Sequence, residues 1–484
     1  MIPENDTIAA IATAYGEGAI GIVRVSGPRA AEILSKVFRP VSPDRAEKRA
    51  MRYGTAVDAD GNAIDEVLAV QMNGPKTYTG EDVCEIQCHG GAIAARKILA
   101  ACHDAGARYA ERGEFTKRAF FNGKLDLAEA ESVIELIEAG SSRAYEEALR
   151  KLKGSLSSEI RSLREALTDQ LVLLAVNMDY PDEDIEIATL EGLRQALLPV
   201  RERVERLVRS ADEGRIVRDG IACVIVGKPN VGKSSLLNAF LYEDRAIVTD
   251  VPGTTRDTIE ESVSIDGILV RFTDTAGMRE TADPVERIGV ERSRDALSVA
   301  DLALFVIDAG RPIDAEDLEL ANRLDPRKTV VLLNKTDAEV TVTAEETVRK
   351  AFPDLFPSDF CPSKARSSGK TASGKRPSAI GPVAVSAKTG DGLDRVRKTI
   401  VEAVLSGTVS PGEGLVVTSL RQKESLETAL SRLDDAIRGT EAGEAIDIVE
   451  TDVRSAWESL GEIIGEQASG DIVDRVFERF CLGK

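Results

Sequence analysis

Apolar positions change their spacing several times along this chain, and each change marks a different kind of structure. Residues 18–26 alternate as a short β-run, and residues 83–88 read as a second strand that stops at His89-Gly90-Gly91. Residues 28–38, with a proline near the start, and residues 92–105 carry helical spacing. Beyond Leu125 the pattern lengthens. Leu149, Leu152, Leu156, Ile160, Leu163, Leu167, Leu171 and Leu174 recur at steps of three and four, the stripe of one long amphipathic helix facing a bundle core. Pro181 and its acidic neighbours end it, and a further helix is expected from about Leu190 to Arg209. From 221 to about 404 short apolar runs alternate with helical stretches, which predicts an open α/β sheet. Helices then return, with Leu426, Leu430, Leu433 and Ile437 on one stripe and Val453, Trp457, Leu460 and Ile464 on another.

Two helical blocks therefore flank an α/β unit, and the simplest architecture pairs them into one bundle with the α/β domain inserted between its halves. The expected divisions are an N-terminal α+β domain over 1–122, a first helical part over 123–216, the α/β domain over 217–407 and a second helical part over 408–484. Residues 357–382, rich in Ser, Lys, Gly and Pro, read as a mobile surface loop.

Composition narrows the function. With 43% hydrophobic and 30% charged residues the chain is a folded protein and not a disordered one. The start shows neither a basic leader nor a long apolar run, and apolar stretches such as 19–25 and 302–307 are too short to span a bilayer. Six scattered cysteines without paired spacing suit reduced thiols in a cytoplasm. His89 and His103 are the only histidines, and the cluster of Cys84, Cys88 and His89 lacks a fourth ligand for zinc. A net charge of −20 argues against sequence-independent nucleic-acid binding, though it leaves room for a local basic patch.

The chemistry lies in the middle of the chain. The apolar run 222–226 leads directly into Gly227-Lys228-Pro229-Asn230-Val231-Gly232-Lys233-Ser234, a P-loop in strand–loop–helix context. Its N–H groups, with Ser235 just inside the helix, would close around phosphates, Lys233 would reach the β/γ oxygens, and the Ser234 hydroxyl would ligate Mg²⁺. Asp274-Thr275-Ala276-Gly277 ends a strand that pairs through an Asp266-Gly267 hairpin turn; Asp274 would act on the Mg²⁺ shell and the Gly277 N–H would sense the γ-phosphate. Asn334-Lys335-Thr336-Asp337 closes another apolar strand, where Asp337 would accept the N1–H and 2-amino protons that guanine has and adenine lacks. Ser386-Ala387-Lys388 would complete the base pocket with a backbone N–H for the guanine carbonyl. Thr255, within Gly253-Thr254-Thr255-Arg256-Asp257, is the candidate second Mg²⁺ ligand on a switch loop that GTP holds closed. The four motifs in this order predict a GTP-hydrolysing enzyme. Met278 stands where many GTPases place a water-orienting glutamine, and a thioether cannot do that work.

Other blocks add a more specific resemblance. Asp6-Thr7-Ile8, Gly21-Ile22-Val23-Arg24-Val25-Ser26-Gly27, Tyr78-Thr79-Gly80-Glu81-Asp82, Gly113-Glu114-Phe115-Thr116-Lys117-Arg118-Ala119, Asn122-Gly123-Lys124-Leu125-Asp126, Arg279-Glu280 and Cys481-Leu482-Gly483-Lys484 surround the GTPase motifs. In this order they make the whole chain resemble the MnmE (TrmE) family of tRNA-modifying GTPases. The resemblance implies a homodimer joined through N-terminal domains similar to folate-dependent one-carbon enzymes. It implies partnership with the flavoprotein MnmG (GidA) to build a carboxymethylaminomethyl-type group on C5 of the wobble uridine of certain tRNAs. It implies K⁺-dependent hydrolysis, with K⁺ held by Asn230 and by carbonyls near Thr249, Val251 and Thr254, and water oriented by Glu286. For a tetrahydrofolate derivative (5-formyl- or 5,10-methylene-) it suggests Arg24, Glu85, Lys124 and Lys484, with Cys481 a thiol that either reacts or is merely buried. On its own, Arg24 shares the apolar Ile20/Ile22 face of its strand, where a bare guanidinium needs a partner or ligand; an Arg24–Glu85 ion pair that binds nothing is the plain alternative. Residues 357–382 look like an insertion relative to typical members. Two competing functions are a GTPase switch in ribosome or RNA assembly and a folate one-carbon transferase unrelated to RNA.

Overall fold

The computed structural model describes residues 6–14, 16–42, 49–179, 189–244, 260–274, 300–338, 345–356, 380–405, 415–481 and 483–484. They form two compact units: one comprises 1–137, 149–204 and 424–484, the other 138–148 and 205–423. No helix among the described residues is long and apolar enough to cross a membrane.

The first unit opens with β1 (Ile8–Ile11), β2 (Ile20–Ser26), α1 (Ala30–Val37), β3 (Phe38–Pro40), β4 (Arg52–Val57), β5 (Ala63–Met72), β6 (Val83–His89), α2 (Ala92–Asp104) and β7 (Arg108–Tyr109). The strands make one sheet in the order β3-β4-β5-β6-β2-β1-β7, antiparallel except where β1 meets β7. Val23, Val25, Ile86 and Ala69 alternate onto one face and bury against Ile33, Leu34 and Ile98 of α1 and α2. Arg24 is on the other face, but that face is not the apolar one the sequence suggested: Ile20 is 58% exposed and Ile22 half-buried.

Helices follow: α3 (Glu114–Phe121), α4 (Leu127–Glu138), α5 (Ser142–Leu152), α6 (Ser155–Asp179) and α7 (Leu190–Asp219). The leucine stripe expected on one helix is divided between α5 and α6, because Gly154 takes φ +84°, a left-handed conformation that stops a helix. The stripe keeps its phase across the break, and Leu156, Ile160, Leu163, Leu167 and Leu174 are all buried. The α7 helix continues ten residues past Arg209, and the division between the units falls inside it.

In the second unit, α7 leads to β8 (Ile221–Val226), α8 (Lys233–Asp244), the hairpin β9 (Glu260–Ile265) and β10 (Ile268–Asp274), β11 (Leu302–Asp308), α9 (Ala315–Ala321), β12 (Thr329–Asn334), α10 (Glu345–Ala351), β13 (Ile380–Ala384) and α11 (Leu393–Leu405). The strand order is β13-β12-β11-β8-β10-β9, parallel except for the hairpin. Asp266 and Gly267 both take positive φ, +48° and +78°, as a two-residue hairpin requires. Ile221, Cys223 and Ile225 bury toward one apolar layer, and Val224 and Val226 toward a second, so the sheet is covered on both faces. Residues 380–382, expected within the surface loop, begin β13; residues 357–379 lie outside the described residues.

The chain returns to the first unit as α12 (Leu420–Ala442), α13 (Ile446–Ile464) and α14 (Gly470–Glu478). The α13 helix packs on α6, where Trp457 Nε1 donates to Thr168 Oγ1 at 2.9 Å and the Arg164 guanidinium lies 4.0 Å from the Trp457 ring centre. Helical segments from both ends of the sequence thus share one core.

Candidate nucleotide-binding site

β8 lies where the sheet order turns back on itself, with β10 on one side and β11 on the other, and the loop after it sits at the carboxyl ends of the strands. Two glycines of that loop are required by space. A Cβ on Gly227 would sit 2.4 Å from the Val306 carbonyl oxygen, and one on Gly232, at φ +96°, would sit 2.3 Å from Asn334 Nδ2. Asn230 takes φ +63°, a conformation asparagine tolerates better than most residues.

Side chains hold the loop's carbonyls. Lys233 Nζ donates to the Gly227 and Lys228 oxygens, both at 2.7 Å. Lys335 Nζ donates to Asn230 O at 2.6 Å, and Asn334 Nδ2 to Val231 O at 2.9 Å. With the carbonyls engaged, the loop's N–H groups remain for an anion at the start of α8. Ser234 and Ser235 are exposed in the first turn of that helix.

The base-reading residues interlock with the same loop. Asn334 Oδ1 accepts from the Ala387 N–H at 3.0 Å, so one buried amide joins the P-loop to the 386–388 loop. Ser386 Oγ donates to Asp337 Oδ1 at 2.7 Å, and this bond holds the exposed Asp337 carboxyl below its usual range, a ready acceptor for a base. Lys388 is exposed beside it. Asp308, opposite Asn334 in the β11–β12 register, accepts from Lys335 Nζ at 2.8 Å. Burial works to raise the Asp308 pKa, but Lys335 and the Gly310 N–H outweigh it and the net shift is downward. Asp308 was not singled out in the sequence; its signal was a carboxylate ending a fully apolar strand level with Asn334. Asp274 ends β10 opposite Ile225. Thr249, Val251, Thr254, Thr255, Thr275, Ala276, Gly277 and Glu286 lie outside the described residues.

A second constellation occupies the first unit. Arg24 and Glu85 face each other across β2 and β6, with Nε 2.8 Å from Oε1. The guanidinium lies 5.8 Å from the Tyr78 ring centre and 5.7 Å from that of Phe115. Phe115 N donates to Lys484 O at 3.1 Å. Burial lowers the Lys484 pKa and the Arg24 charge lowers it further, against the pull of Cys481 and Glu85. Lys124 Nζ reaches Pro75 O at 3.2 Å, on the loop that carries Tyr78. Behind them Arg118, only 1% exposed, donates to Asp6 O at 2.9 Å, to both Glu81 oxygens at 3.2 Å and to Glu114 Oε1 at 3.0 Å. Arg108 bonds Asp6 and Glu114, and Ser26 Oγ donates to Glu81 Oε2.

Residues 7–124 match the family model described as GTP-binding protein TrmE N-terminus, and residues 127–481 match the one described as MnmE helical domain. The chain belongs to the MnmE family. Curated relatives named tRNA modification GTPase MnmE include those of Clostridioides difficile (strain 630), 43% identical over 99% of both chains, and Alkaliphilus metalliredigens (strain QYMF), 42% identical over 99% of both. That of Geobacillus kaustophilus (strain HTA426) is 43% identical over 99% of this chain and 100% of its own.

Of the residues the MnmE resemblance suggested for folate, Arg24 pairs with Glu85, Lys484 lies within electrostatic reach of both, and Lys124 bonds the loop that carries Tyr78. Tyr78 and Phe115, known from the sequence only as motif positions, place their rings against the Arg24 guanidinium. Cys481 is exposed, whereas burial pushes the Cys84 and Cys102 thiols up to about 12. Cys84 and Cys88 are buried while His89 projects outward to Asp65, 2.8 Å away, so the three do not converge.

Proposed function

We infer that this chain, a GTPase of tRNA modification by its family, uses GTP hydrolysis to drive the building of a carboxymethylaminomethyl-type group on C5 of the wobble uridine, together with the flavoprotein MnmG. The observation that carries the reading is the Asn334 amide, which binds P-loop and base loop at once in a chain matched along nearly its whole length by tRNA modification GTPases. The assignment of domains is the one expected from the sequence: folate binding and dimerisation over 1–122, a helical domain from 123–216 and 408–484, and GTP hydrolysis over 217–407.

Exposed Ser234 at the head of α8 and the carboxylate residue at the end of β10 suit the hard-oxygen shell that Mg²⁺ takes, with Thr255 joining when GTP is bound. Following the family resemblance, Asn230, with carbonyls near Thr249, Val251 and Thr254, would hold K⁺ and supply positive charge to the reaction, and Glu286 would orient water. The paired charges of Arg24 and Glu85, with two rings near the guanidinium, suit the amino-pyrimidinone edge of a pterin, with Lys484 and Lys124 for the rest of a tetrahydrofolate derivative. The working form is a homodimer in the cytoplasm.

The test compares GTP turnover by the purified protein in KCl and in NaCl at equal ionic strength. Turnover is expected to be at least about tenfold faster in KCl, a barrier difference of about 1.4 kcal/mol, and the Asn230→Ala variant to lose the difference. Equal rates would remove the K⁺ assignment. Glu286→Ala is expected to bind GTP normally while hydrolysing it about 10²-fold more slowly, since positioned proton-handling groups contribute on that scale. Normal turnover in single-turnover assays would take Glu286 out of the site.

A further inference from the structure

The P-loop carries a second lysine that the phosphate-binding motif does not call for. Lys228 sends its side chain into the cap of α9, where Nζ lies 2.6 Å from Asp314 Oδ2 and 2.8 Å from Asp317 Oδ2. Asp314 is the N-cap of that helix and accepts from the N–H groups of Glu316 and Asp317 at 3.0 and 3.3 Å. Asp317 completes the capping box by accepting from Asp314 N at 3.2 Å. The same two carboxylates thus cap a helix and hold the P-loop.

Capping alone does not account for Asp317. It is 2% exposed, and its Oδ1 finds no hydrogen-bond partner among the described residues. A serine or asparagine at the cap and a solvated glutamate three residues on would close the helix without burying a charge. A buried carboxylate with one bare oxygen is costly unless its charge is used. Lys228 is the cation that meets it. Burial opposes the Lys228 charge, but the two carboxylates outweigh burial and raise its pKa.

We propose that Lys228 is a positioning residue that, through Asp317 and Asp314, fixes the first half of the P-loop in its phosphate-binding shape. Its carbonyl is one of the two that seat Lys233 Nζ, so anchoring the Lys228 side chain also sets where the phosphate-binding lysine rests. Two residues on, the Asn230 carbonyl is held by Lys335, which Asp308 holds in turn. The first half of the loop is thus tied, directly at Lys228 and through Lys335 at Asn230, to the segment running from the end of β11 into α9, which contains none of the nucleotide motifs. Pinning settles the ordering cost before the ligand arrives, so its loss falls on affinity for GDP and GTP alike more than on turnover. This rests on the nucleotide reading above and adds to it the residues that preorganise the site.

The test uses the full chain with a fluorescent GDP, measuring affinity and dissociation rate for Lys228→Met, Asp317→Asn, the double variant and Lys228→Arg. Each of the first two is expected to weaken binding about tenfold, chiefly through faster dissociation, with KM for GTP rising more than kcat falls. The double variant is expected to bind no more weakly than Lys228→Met, because both remove one tie, and Lys228→Arg to recover most of the affinity. Should Lys228→Met not fold, Lys228→Gln takes its place. Single variants that bind within about twofold of the parent, losses that multiply in the double variant, or a fall in melting temperature with unchanged affinity would each overturn the proposal. A parent chain that binds no fluorescent GDP would instead overturn the nucleotide reading itself.

Discussion

Asp337→Asn weakens GTP binding by about 10²- to 10⁴-fold and gives xanthosine triphosphate an affinity close to that of GTP for the parent chain. The magnitude follows from two hydrogen bonds to a charged acceptor, each worth about 1.5–3 kcal/mol. Guanine presents two donors on the edge that Asp337 reads, and xanthine presents a donor and a carbonyl. An asparagine amide complements the second pattern and places N–H against N–H in the first. Ser386 Oγ, 2.7 Å from Asp337 Oδ1, keeps the side chain in position in either variant. Because Asp337 is exposed, the substitution should leave the melting temperature nearly unchanged. The Ser386 bond lowers the carboxyl pKa, so guanine selectivity should persist through mild acid and fail only as pH falls through that lowered value. Competition of both nucleotides against a fluorescent analogue decides the matter. Unchanged GTP preference would assign the base to another residue.

Arg118→Met is expected to lower the stability of the first unit by about 3–5 kcal/mol, the scale on which breaking a buried ionic network falls. Arg118 touches Asp6, Glu81 and Glu114 together, and Glu114 is itself 5% exposed. Removing the guanidinium leaves Arg108 on Asp6 and Glu114, the Glu111 N–H on Glu114, and the Ser26 hydroxyl on Glu81. Urea unfolding followed by two probes, one per unit, should show the transition of the first unit moving and that of the second in place. A first transition within about 0.5 kcal/mol of the parent would mean that the cluster contributes nothing net.

What the sequence revealed and what it hid have physical causes. The P-loop, Asn334, Asp337 and Ser386 could be read directly, because each ends a strand and strand ends are visible as apolar runs that stop. The break at Gly154 was hidden because the apolar stripe passes from Leu152 to Leu156 at a helical step, so periodicity is blind to it; the glycine was the only sign. The face of β2 was misjudged because Ile20 and Ile22 are as apolar as Val23 and Val25, and alternation gives a period without saying which phase is buried. Lys228 meets Asp314 across 86 positions of sequence, through the parallel packing of β8 beside β11. No local pattern marks a pairing of that kind. The residues around Arg24 come from strand, loop, helix and the 481–484 segment, and only the family resemblance grouped them beforehand.

The link between α3 and the last helix sets an order on how the protein is made. Lys117 bonds Asp474, 357 positions later, and Phe115 N waits for the Lys484 carbonyl. At roughly 5–20 residues per second, the ribosome needs about 20–70 s to cover that distance. Meanwhile the whole inserted α/β unit emerges and can close on its own contacts, while the domain begun first still lacks its partner helix. The sheet domain that precedes the insert is therefore completed after it. Fragments that stop at residue 124 should be far less soluble than fragments of the insert.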